Sequence, residues 1–287
     1  MARKRANLDD LLNDLTFKAL HDKFQLIALN ASEWTGLPDG MEERHIESVL
    51  YKHGKAAFFQ APQMGFMALQ CETNGQQNVY GDPTGYVAQG VGFTHDMNAD
   101  DCVIIENNKL RLPTKPFVYF YCNKLAEAER TMDVNIKACK TPIIFACDDK
   151  DVLTFKRIFQ QVDGNTPAVF ADRGLNLDSI TSFQTGVKFM GKDLQDYANA
   201  VENKLLTFLG MNNTPVDKKE RLITDEANAN NQLIESFAEL QLEARQRACE
   251  EINSKFGLTV SVKRRESEAA HAELVQQQSD AGTERPD

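Results

Sequence analysis

Apolar residues recur at helical spacing near the start of the chain. The stripe consists of Leu8, Leu11, Leu12, Leu15, Ala19 and Ile27. Acidic residues stand in its first turn, where a carboxylate interacts favourably with the helix dipole. The pattern predicts a helix from about Leu8 to Leu29. A second stripe predicts a helix from about Met41 to His53, after which Gly54 is a typical residue to end a helix.

The pattern changes between Lys55 and Leu112, where short apolar runs alternate with glycine, asparagine and proline. The runs are AAFFQ, FMALQC and DCVIIE, and the predicted turns are Asn74-Gly75, Gly81-Asp82-Pro83 and Asn107-Asn108. Short apolar runs separated by such turn residues are typical of antiparallel strands. The region is therefore predicted to form a small antiparallel sheet or barrel.

Two long amphipathic stretches predict a helical hairpin in the middle of the chain. The first helix is expected from about Lys115 to Lys140, and the return helix from about Asp193 to Leu209. The segment between them predicts a compact α/β insert. Its strands are expected at Pro142–Cys147 and Pro167–Ala171, with a helix at Val152–Gln161 between them.

Residues 217–236 lack a sustained apolar period and are predicted to form a long loop between helices. The segment contains three basic residues (Lys218, Lys219 and Arg221) and short amides that include Asn228, Asn230 and Asn231. Two interpretations are open: a solvated linker, or a mobile loop that faces a polyanion. A helix from about Phe237 to Phe256 and a strand at Leu258–Lys263 are expected to follow, and residues 264–287 form an acidic, glutamine-rich tail.

Composition places the chain among ordinary globular proteins. It has 287 residues, 42% of them hydrophobic, and a formal net charge of −10. Proteins that bind DNA tightly through its phosphates are normally basic, so any nucleic-acid contact is expected to be local or loose. No apolar run approaches the roughly 20 residues that span a bilayer, and no membrane partner is expected. The basic residues Arg3-Lys4-Arg5 could begin a signal peptide. However, its apolar segment would have to contain Asp9, Asp10 and Asp14, so no signal peptide is expected.

Motifs for catalysis, cofactors and metals are weak. The six cysteines include no CxxC pair, which predicts reduced thiols and no metal site. We find no P-loop, HExxH or GxSxG motif, so the chain is expected to have no catalytic residues and no cofactor. The adjacent carboxylates of Asp148 and Asp149 leave a metal-dependent nuclease as a minor alternative.

A linear series of short motifs carries a family resemblance. The stretches are MARKR at the start, Thr141–Phe145, Gly164–Ala171, TFLG at Thr207–Gly210, Lys218–Glu226, Gln232–Ser236 and Ala248–Leu258. In this order they resemble the upper collar, portal or head–tail connector proteins of small protein-primed tailed phages of the phi-29 type. The resemblance covers about Lys55 to Lys263 and the extreme N-terminus.

The resemblance implies an α+β portal-type fold and a non-enzymatic function. A long two-helix stem would comprise residues 115–140 and 188–209, and a small α/β clip residues 141–187. An α/β wing with a small antiparallel barrel-like module would comprise residues 1–114 and 210–263, followed by a flexible tail. Twelve subunits would form a ring through which double-stranded DNA passes during packaging and ejection.

The resemblance also implies sites and partners. The 217–236 loop would hang into the channel and present Lys218, Lys219 and Arg221 to DNA, with Asn228, Asn230 and Asn231 supplying mobility. Members of the family have two lysines in the channel lumen, at positions that are Gln184 and Asp193 in this sequence. Lys188 and Lys192 would take over their role here. The arm with Arg3, Lys4 and Arg5 would dock nucleic acid or the packaging motor.

Expected partners are the major capsid and scaffolding proteins, the packaging ATPase, the lower collar or tail protein and, as a further candidate, a packaging RNA. The expected location is the portal vertex of the virion, and the host cytoplasm during assembly. An oligomeric structural scaffold that does not bind DNA is the alternative from another class.

Overall fold

The computed structural model describes residues 8–140, 143–146, 181–184, 187–212 and 224–265. The helices are α1 (Leu8–Leu29), α2 (Glu43–His53), α3 (Lys115–Lys140), α4 (Gly191–Phe208) and α5 (Thr224–Phe256). The strands are β1 (Ser32–Thr35), β2 (Lys55–Ala61), β3 (Gly65–Thr73), β4 (Gly85–Gly90), β5 (Phe93–Asn98), β6 (Cys102–Glu106), β7 (Ile143–Ala146), β8 (Thr181–Gln184) and β9 (Ser261–Arg264). The predicted bounds of α1 and α3 are confirmed, and α2 and α4 agree within about two residues. No helix of these ranges is both long and apolar enough to cross a membrane.

Five strands form an antiparallel sheet in the order β5-β4-β3-β2-β6. The prediction of an antiparallel sheet between Lys55 and Leu112 is confirmed. Because β5 and β6 stand at its two edges, the sheet formed by these residues is open and does not close into a barrel. On the interior strand β2, Ala57 stands opposite Leu69 of β3 on one side and Ile104 of β6 on the other.

Successive side chains of β2 point to opposite faces of this sheet, and each face carries a cluster of buried residues. Phe58 packs with a cluster that includes Ile46 of α2 and Ile252 of α5. Phe59 packs with the second cluster, which includes Cys71 and Met97. The main core therefore lies between the sheet, α2 and α5.

A two-stranded antiparallel pair joins the beginning of the chain to its end. In this pair Trp34 of β1 stands opposite Val262 of β9. The expected strand at Leu258–Lys263 is observed at Ser261–Arg264, whereas β1 was not predicted.

The chain divides into two compact units. The hairpin unit comprises Met1–Thr16 and Lys124–Val201, and the body unit comprises Phe17–Asn123 and Glu202–Asp287. In the hairpin unit β7 and β8 pair antiparallel, with Ile144 opposite Phe183. The predicted strand at Pro142–Cys147 is observed as β7. The predicted helix at 152–161 and strand at 167–171 lie outside the described residues, and β8 was not predicted.

Candidate functional site

Six of the predicted basic site residues lie outside the described part of the chain. They are Arg3, Lys4, Arg5, Lys218, Lys219 and Arg221. Their proposed contacts with nucleic acid therefore stay predictions. The alternative nuclease carboxylates, Asp148 and Asp149, also lie outside the described ranges.

The predicted loop at 217–236 is wrong over most of its length, because α5 begins at Thr224. Asn228, Asn230 and Asn231 therefore belong to a helix, and the side chain of Asn231 is exposed on it. Asparagine costs at most about 0.7 kcal/mol more than alanine within a helix. Burial of an apolar side chain such as Ile234, which is buried on this helix, contributes about 1.5–3 kcal/mol. For the three asparagines together the cost is at most about 2 kcal/mol, so burial of this one side chain is sufficient to offset it.

Lys188 and Lys192 are both exposed, and they stand just before and at the start of α4. The backbone near them is attached to α3 through one amide side chain. Asn135 Nδ2 donates to the carbonyl oxygen of Lys188 at 2.9 Å, and Asn135 Oδ1 accepts from the N–H of Met190 at 2.9 Å. This pair of bonds holds the lysine-bearing segment on the hairpin while its side chains remain in solvent.

Exposed apolar side chains surround this attachment. Val134 is 64% exposed, Ile136 41% and Phe189 68%. Neighbouring residues of an α-helix point about 100° apart, so Val134 and Ile136 lie on opposite sides of Asn135. The hairpin unit thus presents apolar material on both flanks of α3.

An apolar groove of about 290 Å³ lies in the body unit. Phe208 of α4 stacks on Phe117 of α3, with 4.7 Å between ring centroids, and its ring centroid lies 5.9 Å from that of Phe237 of α5. Leu110 and Leu240 stand exposed at the groove. A contiguous apolar surface of this kind commonly marks an interaction site.

A buried ion pair, which sequence reasoning missed, joins α2 to α5 in the body unit. Arg245 Nε and Nη2 donate to Glu47 Oε1 and Oε2, each at 2.8 Å, and both residues are at most 3% exposed. Trp34 Nε1 also donates to Glu47 Oε1, at 2.9 Å. The available signal was a charged residue within the apolar stripe of each helix.

Asn107 extends this network to the first turn of α3. Its Oδ1 accepts from Arg245 Nη2 at 3.1 Å, and its Nδ2 donates to Thr114 Oγ1 and to the carbonyl oxygen of Leu112, both at 2.9 Å. Asn107 is 2% exposed, so it is a buried link in addition to the turn residue that the sequence predicted.

The described cysteines are free thiols in protected surroundings. Burial raises the pKa of Cys122 to about 12, and that of Cys71, Cys102 and Cys249 to about 11. Because the thiolate is the reactive form, these thiols are poor nucleophiles at neutral pH. Among the side chains that the structure describes, no group of three histidine, cysteine or acidic residues is placed to hold a metal ion.

Comparison with known proteins gives one family and several similar structures. Residues 3–268 match the profile of the family described as Phage Connector (GP10). A chain of the portal and tail of native bacteriophage P68 has 14% sequence identity and a TM-score of 0.50, over 99% of this chain and 100% of that chain. This similarity indicates a shared portal-like fold of helices and antiparallel strands.

Two further similar structures have lower TM-scores. A chain of the virion of a native gene transfer agent particle has 12% identity and a TM-score of 0.48, over 94% of this chain and 85% of that chain. An HK97 family phage portal protein from Corynebacterium diphtheriae has 10% identity and a TM-score of 0.45, over 92% and 96% of the two chains.

Proposed function

The chain belongs to the phage connector family and is a portal, or head–tail connector, protein of the virion, and from this membership we propose that twelve copies form a ring around a DNA channel. Double-stranded DNA passes through this ring during packaging and ejection. Residues 115–140 and 188–209 form the stem, residues 141–187 the clip, and residues 1–114 and 210–263 the wing. The ring sits at one capsid vertex and contacts capsid and scaffolding proteins, the packaging ATPase and the lower collar.

The observation that best supports a ring is the set of exposed apolar side chains on α3. Phe117, Tyr119 and Phe120 are exposed, although Val118 and Cys122 of the same helix are fully buried. A helical segment that is apolar on every side, as residues 117–122 are, is normally buried. In a closed ring two different surfaces of each copy meet, so exposed material on several sides of one helix becomes covered.

The negative net charge of the chain favours weak binding to DNA, which allows the DNA to move through the channel. A net charge of −10 repels DNA from most of the surface. Each strong phosphate contact adds salt-dependent affinity that would slow movement. We assign the brief contacts to Lys188 and Lys192 and to the segment with Lys218, Lys219 and Arg221. The arm with Arg3, Lys4 and Arg5 docks the packaging motor or its nucleic acid.

Electron microscopy of the purified full-length chain tests the ring. We expect particles of about twelve subunits with an open central channel. Phe120→Asp places a charge on the exposed surface of α3 and should shift the particles to smaller species, whereas the exposed polar Glu129→Ala on the same helix should not. A compact monomer or dimer of the unmodified chain would contradict the proposal.

The channel contacts require a separate measurement. Lys188→Gln with Lys192→Gln should leave ring assembly intact, because both side chains are exposed. The double variant should alter the rate or retention of DNA in a packaging assay with the motor present. Lys52→Gln, an exposed lysine of the body unit, is the control. Unchanged packaging by the double variant would remove these two lysines from the channel.

No enzymatic step is assigned to the chain, and ATP hydrolysis is attributed to a separate motor protein. A nuclease assay with magnesium or manganese tests the alternative. Activity that is lost in Asp149→Ala would overturn the non-enzymatic assignment.

A further inference from the structure

A polar cleft of about 430 Å³ in the body unit adjoins the apolar groove, and Lys109 lines both. Four cationic side chains line it, against two acidic ones, Glu106 and Glu251. The cations are Lys109, Arg111, Arg247 and Lys255. On a chain with a net charge of −10, a cleft of positive balance is a local exception. It attracts an anionic group that the remaining surface repels.

The two arginines are held in place by one carboxylate with little solvent access. Arg111 Nε lies 2.7 Å from Glu106 Oε1, and Arg247 Nη2 lies 3.1 Å from Glu106 Oε2. A guanidinium has five N–H donors. Among the described residues, these contacts engage one nitrogen of each arginine, so further donors of both remain for an anion. The Glu106 side chain is 14% exposed and acts as an anchor for the two cations.

The backbone that carries Arg111 is fixed in an uncommon conformation. Arg111 has a φ of 57°, in the left-handed region that residues other than glycine rarely adopt. Asn108 holds this loop: its Oδ1 accepts from the N–H groups of Leu110 and Leu112, each at 3.1 Å. The loop therefore presents the Arg111 side chain from a rigid base, as a preorganised binding site requires.

Lys255 is a further cation of the cleft and, like Arg247, lies on α5. Its Nζ donates to the carbonyl oxygens of Cys102 at 2.7 Å and Ala99 at 3.4 Å. These are neutral acceptors, so its positive charge is not neutralised by them. Within the described part of the chain, Lys109 is the one cation of the cleft that pairs with an acid outside it, since its Nζ lies 3.2 Å from Glu243.

We propose that this cleft binds the acidic C-terminal segment of the chain, residues 266–287, through carboxylates that pair with Arg111, Arg247 and Lys255. The segment lies outside the described residues and has six acidic side chains against a single arginine. The acids are Glu266, Glu268, Glu273, Asp280, Glu284 and Asp287. Arginine pairs well with carboxylates because its fork of donors matches their geometry. The inference concerns the body unit and does not depend on the ring.

Covalent attachment and length both favour this segment as the occupant. It follows Arg265, whose N–H donates to the carbonyl oxygen of Ala31 at 3.0 Å. A chain of this length spans up to roughly 70 Å when extended, which exceeds the size of the body unit's helices. Attachment gives the segment an effective concentration on the order of millimolar, so weak ion pairs suffice to fill the cleft.

Zero-length carbodiimide coupling of the full-length chain tests the proposal, because it joins a carboxylate to an amine only where the two are in contact. We expect mass spectrometry to find tail acids joined to Lys255 and Lys109. Exposed Lys18 and Lys52, which do not line the cleft, should give at least about fivefold fewer tail products. Mixing isotope-labelled and unlabelled chains separates docking within one copy from docking on a neighbour.

Two variants, one in the cleft and one in the tail, test whether the crosslinks report this contact. Arg247→Gln should reduce the cleft products at least about fivefold. Because this change could loosen the loop, the second variant alters the tail alone: Glu266→Gln, Glu268→Gln and Glu273→Gln should speed amide hydrogen exchange in β6 and residues 108–112. Tail products spread equally over all exposed lysines, or unchanged exchange in the tail variant, would overturn the proposal. Protection of Lys255 by a short DNA duplex, with no tail product, would assign the cleft to phosphate and overturn it as well.

Discussion

The body unit and the hairpin unit differ in how they cover their apolar residues. In the body unit Phe58, Ile105 and Ile252 are fully buried among side chains of the same unit. In the hairpin unit the described side chains of Val134, Ile136 and Phe189 are largely exposed. The body therefore has an internal core of its own, in addition to its exposed aromatic residues at the start of α3, whereas these described residues of the hairpin are open to contact with another surface.

The polar contacts of the two units differ in the same way. The body buries a complete ion pair between Arg245 and Glu47, and the remaining donors of Arg245 reach Asn107 and the carbonyl oxygen of Gln241. The hairpin attaches residues 188–190 to α3 through solvent-accessible hydrogen bonds of the half-buried Asn135. Loss of a buried polar partner is costly, while loss of an exposed one is cheap. Substitutions in the buried polar network of the body should thus change its stability, and those of exposed apolar residues, such as Val134 and Ile136 of the hairpin, should change assembly.

The largest expected effect is the loss of one partner of the buried pair. Glu47→Ala leaves the Arg245 guanidinium buried and unpaired, which should lower the free energy of unfolding by about 3–5 kcal/mol. Urea unfolding followed by tryptophan fluorescence measures this, since Trp34 contacts Glu47. Lys263→Met, which removes an exposed ion pair with Glu33, should change stability by less than about 1 kcal/mol.

The double variant Glu47→Leu with Arg245→Met sharpens this test. Replacement of a buried pair by apolar residues of similar volume is often close to neutral. We expect the double variant to be more stable than Glu47→Ala. A Glu47→Ala protein as stable as the unmodified chain would show that the pair does not hold α2 to α5.

Glycine substitutions should give an intermediate effect in the body. Gly54 has a φ of 80°, and a Cβ there would lie 2.1 Å from the carbonyl oxygen of Arg111. Gly54→Ala should therefore destabilise by more than the roughly 1–3 kcal/mol of backbone strain alone. Gly40→Ala is the matched control, because Gly40 has a φ of 82° with nothing within 4 Å. Equal losses in urea unfolding would mean that the loop with Arg111 moves freely away from α2.

The smallest effect on stability is expected in the hairpin. Val134→Asp with Ile136→Asp should change the free energy of unfolding by no more than about 0.5 kcal/mol, as is usual for surface substitutions. Self-association should weaken at least about tenfold, or about 1.4 kcal/mol, since the new charges would be buried between copies. Analytical ultracentrifugation measures the change, with Glu129→Ala as the control. Normal assembly of the double variant would show that these exposed apolar residues of the hairpin do not lie between copies.

Local pattern was sufficient for the long helices. The bounds of α1 and α3 followed from the apolar period, and the left-handed Gly54 ends α2 where the sequence predicted. The predicted start of α5 was more than three turns too late, because residues 224–236 include weak helix formers and few apolar residues. Burial of Ile234 is a tertiary effect that a local pattern does not contain.

Contacts between distant residues account for what the sequence did not reveal. Glu47 and Arg245 are 198 residues apart, and β1 was missed because its partner β9 lies near the other end of the described chain. The cleft with Arg111 and Arg247 has the same origin, since its cations lie on a loop and on α5. Periodicity depends on neighbours in sequence, and it therefore specifies helices and strands. Ion pairs, edge pairing and clefts depend on which elements pack together, and they appear only once the chain has folded.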